Sequence, residues 1–257
     1  MKLRSRIIIV FLAAIILSAT FSVAASAYFG RKNYIGESRR LGTQTLNVLA
    51  DNLKMTTDHI RQDTEIAFWN PLTENALEGL KNEPMTPEIR TSLTESMSPV
   101  MLAGDYISSI LFFDNYGNSC FCLRDGVIAD TGLAVSRADW YAEVQAAGGD
   151  WIYETDGGGM IRYTDDNKNT VSLIKLVRTR DDYTACGVVI VNIDEKTIRK
   201  NFTALSGAGA VYYIMSGDRV IFSSDGPADS NQSAGILAGI SAGEQSGGEK
   251  GDVTLFQ

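Results

Sequence analysis

Histidine, cysteine and proline are scarce in this 257-residue chain, which has one, three and five of them respectively. So few nitrogen and sulfur ligands leave almost no material for a His-based catalytic triad or a transition-metal cluster. A Walker phosphate loop, a His-Glu-x-x-His helix and a Gly-x-Ser-x-Gly elbow are also missing. Acid pairs such as Asp165-Asp166 are adjacent and point apart along an extended chain, so they are interpreted as turns. We therefore expect no catalytic residue, no metal and no cofactor in this chain.

The scarce residues themselves have simple interpretations. Cys120 and Cys122 are two apart on a predicted strand, so their side chains share one face but diverge too far to bridge without strain. We expect these two and Cys186 to fill apolar core space. His59 lies in a predicted helix and is interpreted as a solvated residue rather than a phosphoacceptor.

Basic charge is also in short supply, since the chain has a formal net charge of −8. The only basic cluster without nearby acids is Lys2, Arg4 and Arg6 at the N-terminus. An acidic chain lacks the basic surface that nucleic acid or an anionic membrane face requires. Nucleic acid is therefore not expected as a partner.

An uncharged run of 23 residues follows that cluster, from Ile7 to Phe29. As a helix it is roughly 34 Å long, enough to cross the hydrocarbon core of a bilayer. It predicts a transmembrane anchor at 7–29 with residues 1–6 in the cytoplasm. The alternative is a secretory signal cleaved after Ala27, because Ala25-Ser26-Ala27 resembles a cleavage site. Both interpretations place the bulk of the chain outside the cytoplasm.

Helical periodicity dominates the next segment. Between Lys32 and Trp69, apolar residues recur at helical spacing and form one stripe: Leu46, Leu49, Leu53, Ile60 and Ala67. Asn70-Pro71 ends or kinks this helix, which would be a stalk roughly 55 Å long. The stripe either pairs with a second copy in a homodimer or packs on its own domain. Further helices are predicted at Leu72–Lys81 and around Glu88–Met101.

From Asp105 onwards the pattern changes to strands, which predicts an α+β fold. The segment from Tyr106 to Gly126 has the form of a hairpin with a glycine-bearing turn. A short helix is predicted over Ser136–Ala147, with Ser136 as its cap. Asp194 is predicted to cap a helix that runs to Phe202. Further strands are predicted at Trp151–Tyr153, Met160–Tyr163, Val171–Thr179 and Ala185–Ile193, with turns at Asp156–Gly159 and Asp165–Asn169.

The hairpin motif occurs twice. ILFFDNYGNSCFCLRDG from Ile110 is echoed by AVYYIMSGDRVIFSSDG from Ala210. The Gly, Asp and Gly turn residues of the two copies are one hundred residues apart. This predicts two similar sheet modules, although chance similarity of two hairpins is the alternative. A final strand starts at Val253 and would be an exposed edge. We therefore expect the second module to be incomplete.

The ordered motifs ISSILFFDNYGN, RADWYAEV, GGDWIY, LIKLVRTRDD and GVVIVNIDEKTI resemble the double Cache sensor domains of bacterial receptors, most closely those of YesM-type sensor histidine kinases. The resemblance implies two PAS-like antiparallel-sheet modules carried on a long helix after a membrane span. It places stalk helices at 32–81, a membrane-distal module at 82–204 and a membrane-proximal module at 205–257. By the same resemblance, the full-length protein would be a two-component histidine kinase that responds to a small extracellular solute, such as an amino acid or another small carboxylate.

The resemblance also implies ligand-binding residues. In the amino-acid-binding subset of the family an Arg-x-Trp-Tyr string is followed by an Asp near the end of a later strand. Trp140 and Tyr141 match this pattern and Asp194 matches the later Asp, whereas Arg137 stands one residue too far back and Asp139 takes a nearby place. Tyr163 and Arg178 are the remaining pocket candidates. The alternative is that Trp140 and Tyr141 are core residues and Asp194 is only a helix cap.

Other outputs and classes remain open at this point. The same ectodomain can belong to a chemoreceptor or to a cyclic-dinucleotide enzyme. If the N-terminal segment is a cleaved signal, the chain would instead be a secreted solute-binding or envelope protein.

Overall fold

The computed structural model describes residues 3–103, 106–130, 134–164, 170–194, 196–200, 213–216, 219–223, 247–250 and 253–256. The chain divides into two compact units, Met1–Gln44 and Thr45–Gln257. The first unit consists of the N-terminal part of helix α1, which runs from Leu3 to Phe68. Within the described residues, no helix combines the length and the hydropathy needed to cross a membrane.

The predicted apolar stripe of α1 packs on its own domain. Its five members are all buried in one core together with residues of the sheet, so the second of the two alternatives is confirmed. The helix stops at Phe68, as the Asn70-Pro71 pair predicts. The Asn70 side chain accepts hydrogen bonds from the amides of Leu72 and Thr73, at 3.0 and 3.1 Å, and so caps the next helix, α2 (Pro71–Leu80). Helix α3 spans Pro87–Ala103.

A five-stranded antiparallel sheet forms the centre of the second unit. Its strands are β1 (Ile107–Asp114), β2 (Ser119–Leu123), β4 (Ile152–Thr155), β6 (Val171–Arg178) and β7 (Ala185–Ile193), in the order β2-β1-β7-β6-β4. The long central strands β1 and β7 are buried along nearly their whole length, as expected of strands that are covered on both faces, and β7 is rich in valine and isoleucine. One face packs on α1, α2 and α3 in what we call the helix-side core. The opposite face carries a second cluster, the far-side core.

Short elements cover the far-side core. They are the paired strands β3 (Val127–Ala129) and β5 (Ile161–Tyr163), a 3-10 turn at Val135–Arg137, helix α4 (Tyr141–Ala146) and a second 3-10 turn at Asp156–Gly159. Of the helix predicted over Ser136–Ala147, the structure confirms Tyr141–Ala146, whereas the predicted start at Ser136 is wrong. Ser136 lies inside the 3-10 turn and caps nothing, because the chain becomes extended at Ala138 (φ −70°, ψ 139°) before α4 begins. This break lets Trp140 enter the far-side core.

The remaining strands form a second antiparallel sheet in the order β10-β11-β8-β9. They are β8 (Tyr213–Ser216), β9 (Arg219–Ser223), β10 (Gly247–Lys250) and β11 (Val253–Phe256). Strands β8 and β9 pair as a hairpin, as β1 and β2 do, in agreement with the repeated motif. Strand β11 is not an edge, since it pairs with both β8 and β10. The glycine-rich sequence of β10 gave no strand signal. The predicted turn at Asp165–Asn169 and the end of the predicted helix at Phe202 lie outside the described residues.

The cysteines and the histidine follow their predictions. Cys120 and Cys186 are buried, Cys122 is half-buried, and none of the three forms a disulfide. His59 is exposed on α1. Within the described residues, no group of histidine, cysteine and acidic side chains has the arrangement of a metal site.

We expect the two buried thiols to resist alkylation. Burial raises the pKa of Cys120 to about 12 and that of Cys186 to about 11. At pH 8 the thiolate fraction of Cys120 should therefore be on the order of a thousandfold below that of an unperturbed thiol. Iodoacetamide labelling followed by mass spectrometry, with and without urea, measures the difference. Equal labelling rates for Cys120 in the two conditions would contradict the burial.

Candidate functional site

A β-bulge in strand β1 directs two consecutive serines to the far side of the sheet. The register of β1 against β7 shifts between Ile107 and Ser109. Ile107 and Ile110, three residues apart, therefore both lie in the helix-side core, although strict alternation would place them on opposite faces. Ser108 and Ser109 form hydrogen bonds with Tyr163 and Asn192, respectively. The bulge thus adds an extra polar side chain to this face.

Four buried polar side chains lie side by side across the sheet, and we call them the polar row. The strand register aligns Glu154 on β4 with Ser172 on β6, Ser172 with Asn192 on β7, and Asn192 with Ser109 on β1. Glu154 is 9% exposed and the other three are fully buried. Burying so many polar groups in an apolar face is costly unless they are hydrogen-bonded.

Hydrogen bonds link Ser172, Asn192 and Ser109 within the polar row. The Ser172 hydroxyl donates to Asn192 Oδ1 at 2.6 Å, and Asn192 Nδ2 donates to Ser109 Oγ at 2.7 Å. The Gly157 amide donates to Ser172 Oγ at 2.7 Å. At the end of the row, the hydroxyls of Ser108 and Tyr163 are 3.1 Å apart. The network therefore extends from the sheet to the elements that cover it.

Three consecutive glycines form a tight cover over the row. Gly157, Gly158 and Gly159 have positive φ values of 63°, 63° and 83°, which side-chain-bearing residues rarely adopt. Gly157 lies against the Asn192 amide group. The indole nitrogen of Trp140 donates to the Gly158 carbonyl oxygen at 2.9 Å. This segment, which we call the glycine cover, is held between the polar row below and the buried Trp140 ring.

Three of the six predicted site residues lie at this location. Trp140 is buried on the glycine cover, and Tyr141 packs against the far-side core with its ring centroid 6.4 Å from that of Trp140. Tyr163 contacts the end of the polar row through Ser108. The aromatic residues of the predicted site are thus brought together on one face of the sheet.

The other three predicted residues lie elsewhere. Arg137 is exposed in the 3-10 turn. Asp194 accepts a hydrogen bond from the Lys196 amide at 2.8 Å and caps the helical residues 196–200. Arg178 stands six residues after Ser172 on β6, roughly 20 Å away at the usual strand rise, and lines a separate pocket.

Sequence reasoning missed the polar row and its cover. Their signal is the occurrence of polar residues within otherwise apolar strands, as in GVVIVNI for Asn192 and YISSILFF for the two serines. The Asp-Gly-Gly-Gly string at 156–159 was predicted only as a turn. Lateral alignment of the row depends on strand register, which hydrophobic pattern alone defines poorly when strands are apolar on both faces.

Neither a protein-family model nor a curated protein matches this chain. Solved structures do. The sensory domain of the Campylobacter jejuni chemoreceptor Tlp3 is 10% identical, with a TM-score of 0.57, over 88% of this chain and 93% of that one. The same domain with isoleucine bound has a TM-score of 0.56, again at 10% identity, with 88% and 92% covered.

A weaker likeness is found with the ligand-binding domain of the Pseudomonas fluorescens chemoreceptor CtaA in complex with L-isoleucine. It is 17% identical over 75% of this chain and 71% of that one, with a TM-score of 0.45. The likeness to Tlp3 establishes the fold. This chain has the mixed helix and antiparallel-sheet fold of a chemoreceptor sensory domain.

Proposed function

We propose that this chain is the extracytoplasmic ligand-sensing region of a bacterial transmembrane receptor of the double Cache type. The observation that carries the proposal is the polar row beneath the glycine cover. Buried polar side chains on an apolar sheet face, closed by a glycine loop and an aromatic ring, are typical of a small-molecule site. The shared fold with a chemoreceptor sensory domain supports the same function.

The chemistry of the row favours a small, polar solute such as an amino acid or another small carboxylate. The Asn192 amide and the serine hydroxyls donate and accept hydrogen bonds, and the Glu154 carboxylate suits an ammonium group. Trp140, Tyr141 and Tyr163 supply apolar walls. The Tlp3 sensory domain has been crystallised with isoleucine and with L-valine, which are solutes of this size.

Ligand binding at the row requires the glycine cover to move. Gly157 and Asn192 use their hydrogen-bonding groups within the network, so a solute must replace those bonds. A solute that binds the opened arrangement more tightly shifts the population toward it. In the proposed signalling step, hydrogen bonds between the glycine cover and the polar row are replaced by hydrogen bonds from these groups to the solute.

Membrane attachment through residues 7–29 is part of the proposal and rests on the uncharged run of the sequence. Carbonate extraction of membranes tests it, and an intact Met1 in the extracted protein excludes signal cleavage. A homodimer is proposed through the exposed face of α1, where Val48, Met55 and Ile66 lie within about 20° of one another around the helix. Sedimentation velocity of the full chain measures the association.

The output of the receptor is proposed at the level of class. The motif resemblance favours a two-component histidine kinase, whereas the solved structures that share the fold belong to chemoreceptors. A chemoreceptor output is therefore at least as well supported. The coding sequence downstream of this chain distinguishes the two outputs. A kinase core there supports the histidine kinase, and a chemotaxis signalling domain supports the chemoreceptor.

Thermal denaturation of the full chain in detergent, with amino acids and small carboxylates as additives, tests the sensing function. A solute present at about one hundred times its Kd should raise the Tm by about 5 °C or more. Ser109→Ala and Ser172→Ala each remove one hydroxyl from the row and should weaken the binding of that solute at least tenfold.

Ser98→Ala is the matched control. Ser98 is half-buried on α3, and its hydroxyl donates to the Thr94 carbonyl outside the row. Binding should stay within twofold of the unsubstituted chain. The proposed site is wrong if both row variants retain full affinity, and the small-solute function is wrong if no additive changes the Tm.

A further inference from the structure

A second pocket lies on the other side of the sheet. It has a volume of about 380 Å³, in the usual range for small-molecule sites. Residues of the last turns of α1 form one wall, and the end of β6 with the loop that follows forms the other. No residue of the polar row or the glycine cover lines it. We call it the α1 pocket.

One acid and one base of the α1 pocket neutralise each other. Lys175 Nζ lies 2.5 Å from Glu65 Oε1 and 5.3 Å from the Trp151 ring centroid. The Trp151 indole nitrogen donates to the same Glu65 oxygen at 3.3 Å. Of the other charged residues in the lining, Arg178 and Arg180 are basic and only Asp150 is acidic. The pocket therefore has a basic excess in a chain whose net charge is −8.

Arg178 lines this pocket, and one of its donors has no hydrogen-bond partner in the part of the chain that the structure describes. Its Nη1 donates to the Tyr183 carbonyl oxygen at 3.0 Å, while its buried Nε has no hydrogen-bond partner among the described residues. A buried donor without a partner is costly and calls for an explanation. A bound carboxylate would pair with the Arg178 guanidinium group, which can hold two oxygens side by side.

The loop after β6 holds an aromatic residue in a strained conformation at the pocket. Tyr183 has a φ of 56°, the only positive value at a non-glycine residue in the described chain, and its side chain is 71% exposed. The Asp182 carboxylate accepts hydrogen bonds from the Thr179 hydroxyl and the Thr184 amide, and it forms an ion pair with Lys81. These contacts anchor the loop. These contacts hold the pKa of Asp182 below its ordinary value, the Thr179 bond having the largest effect. Such strain is typical of ligand sites.

We propose that the α1 pocket binds a small organic anion, with its carboxylate on Arg178 and an aromatic or apolar body between the surrounding rings. Trp69, on the facing wall, is 66% exposed, and Trp151 lies in the floor with the helix-side core. Exposed aromatic rings on both walls suit a flat apolar body. The occupant would contact α1 directly through Phe68 and Trp69, and this site is independent of the polar row.

Intrinsic fluorescence provides the test, since two of the three tryptophans in the chain line this pocket. The full chain in detergent is titrated with 3-phenylpropionate and, separately, with the uncharged amide 3-phenylpropionamide. We expect a saturable change for the carboxylate and binding at least tenfold weaker for the amide. A Trp140→Phe variant should keep the response, because Trp140 belongs to the other site.

Arg178→Gln should weaken the binding of 3-phenylpropionate at least tenfold, and Arg178→Lys should restore part of it. Arg90→Gln, at an exposed position on α3, is the control and should have no effect. Trp69→Ala alters an exposed side chain with little risk to folding and should weaken binding severalfold. The proposal is overturned if the carboxylate gives no saturable change, if the amide binds equally well, or if Arg178→Gln and Trp69→Ala both bind normally. Ser109→Ala and Ser172→Ala should leave this binding unchanged, which separates it from the polar row.

Discussion

Replacing Gly187 with alanine is expected to destabilise the sheet domain by about 3–4 kcal/mol. Gly187 lies in the central strand β7, where a Cβ would be 2.2 Å from the Phe113 carbonyl oxygen and 2.6 Å from Phe112 Cζ. The first contact is with backbone and can be relieved only by separating the two strands. The Phe112 ring is fully buried and stacks on Phe68 of α1 at 5.8 Å, so it has no space to retreat into.

Urea denaturation followed by circular dichroism measures this effect. Gly79→Ala is the control. Gly79 lies in helix α2, and a Cβ at this position would meet the flexible end of the Ile89 side chain at 3.0 Å. Alanine is also favoured over glycine in a helix by about 1 kcal/mol, so this change should be close to neutral or stabilising. A stability of Gly187→Ala within about 0.5 kcal/mol of the unsubstituted chain would show that the strands do not approach so closely.

Part of the Gly187 cost should be recoverable. Phe112→Leu shortens the side chain whose ring tip occupies the space beside Gly187, so the double variant should be more stable than the sum of the single effects implies. The coupling would be limited, because the contact with the Phe113 carbonyl remains. Strict additivity would indicate that the backbone contact alone accounts for the destabilisation.

Long elements with one strong period were predictable from the sequence. The α1 stripe recurs at helical spacing over more than five turns, and the structure buries each of its five members. Strands β6 and β7 were equally clear because they are predominantly apolar segments bounded by turn residues. The end of α1 was fixed by a local rule, since proline cannot continue the helix at position 71 and Asn70 can cap the next one.

Features that depend on tertiary contact were not predictable in the same way. The helical periodicity of Ser136–Ala147 is interrupted because Trp140 donates its indole proton to Gly158, eighteen residues away. Ser108 and Ser109 share a face only because of a bulge, and no pattern in β1 reveals it. Strand β10 forms within a glycine-rich segment because it pairs with β11.

The candidate site shows the same division. The aromatic candidates Trp140, Tyr141 and Tyr163 lie together at the far-side core. The charged candidates Arg137, Arg178 and Asp194 lie elsewhere, because their positions depend on tertiary contacts that the sequence string does not contain. Arg178 and Ser172 belong to one strand, yet they serve two separate sites in our proposals, the α1 pocket and the polar row.

The glycine cover gives the second large effect. Gly158→Ala is expected to cost about 3–5 kcal/mol, because two penalties coincide at that position. The φ of 63° disfavours any Cβ by about 1–2 kcal/mol. In addition, a Cβ would lie 2.0 Å from Trp140 Nε1, so the buried indole must move and lose its bond to the Gly158 carbonyl.

Gly159→Ala separates the two penalties. Gly159 also has a positive φ, 83°, but no atom lies within 4 Å of the position its Cβ would take. It should therefore cost only the backbone strain, about 1–2 kcal/mol, and leave Trp140 in place. Urea denaturation of both variants gives the difference, which we expect to be about 2 kcal/mol or more. Equal stabilities would mean that Trp140 does not press on the cover, and the cover would then have no aromatic contact to break when a solute reaches the polar row.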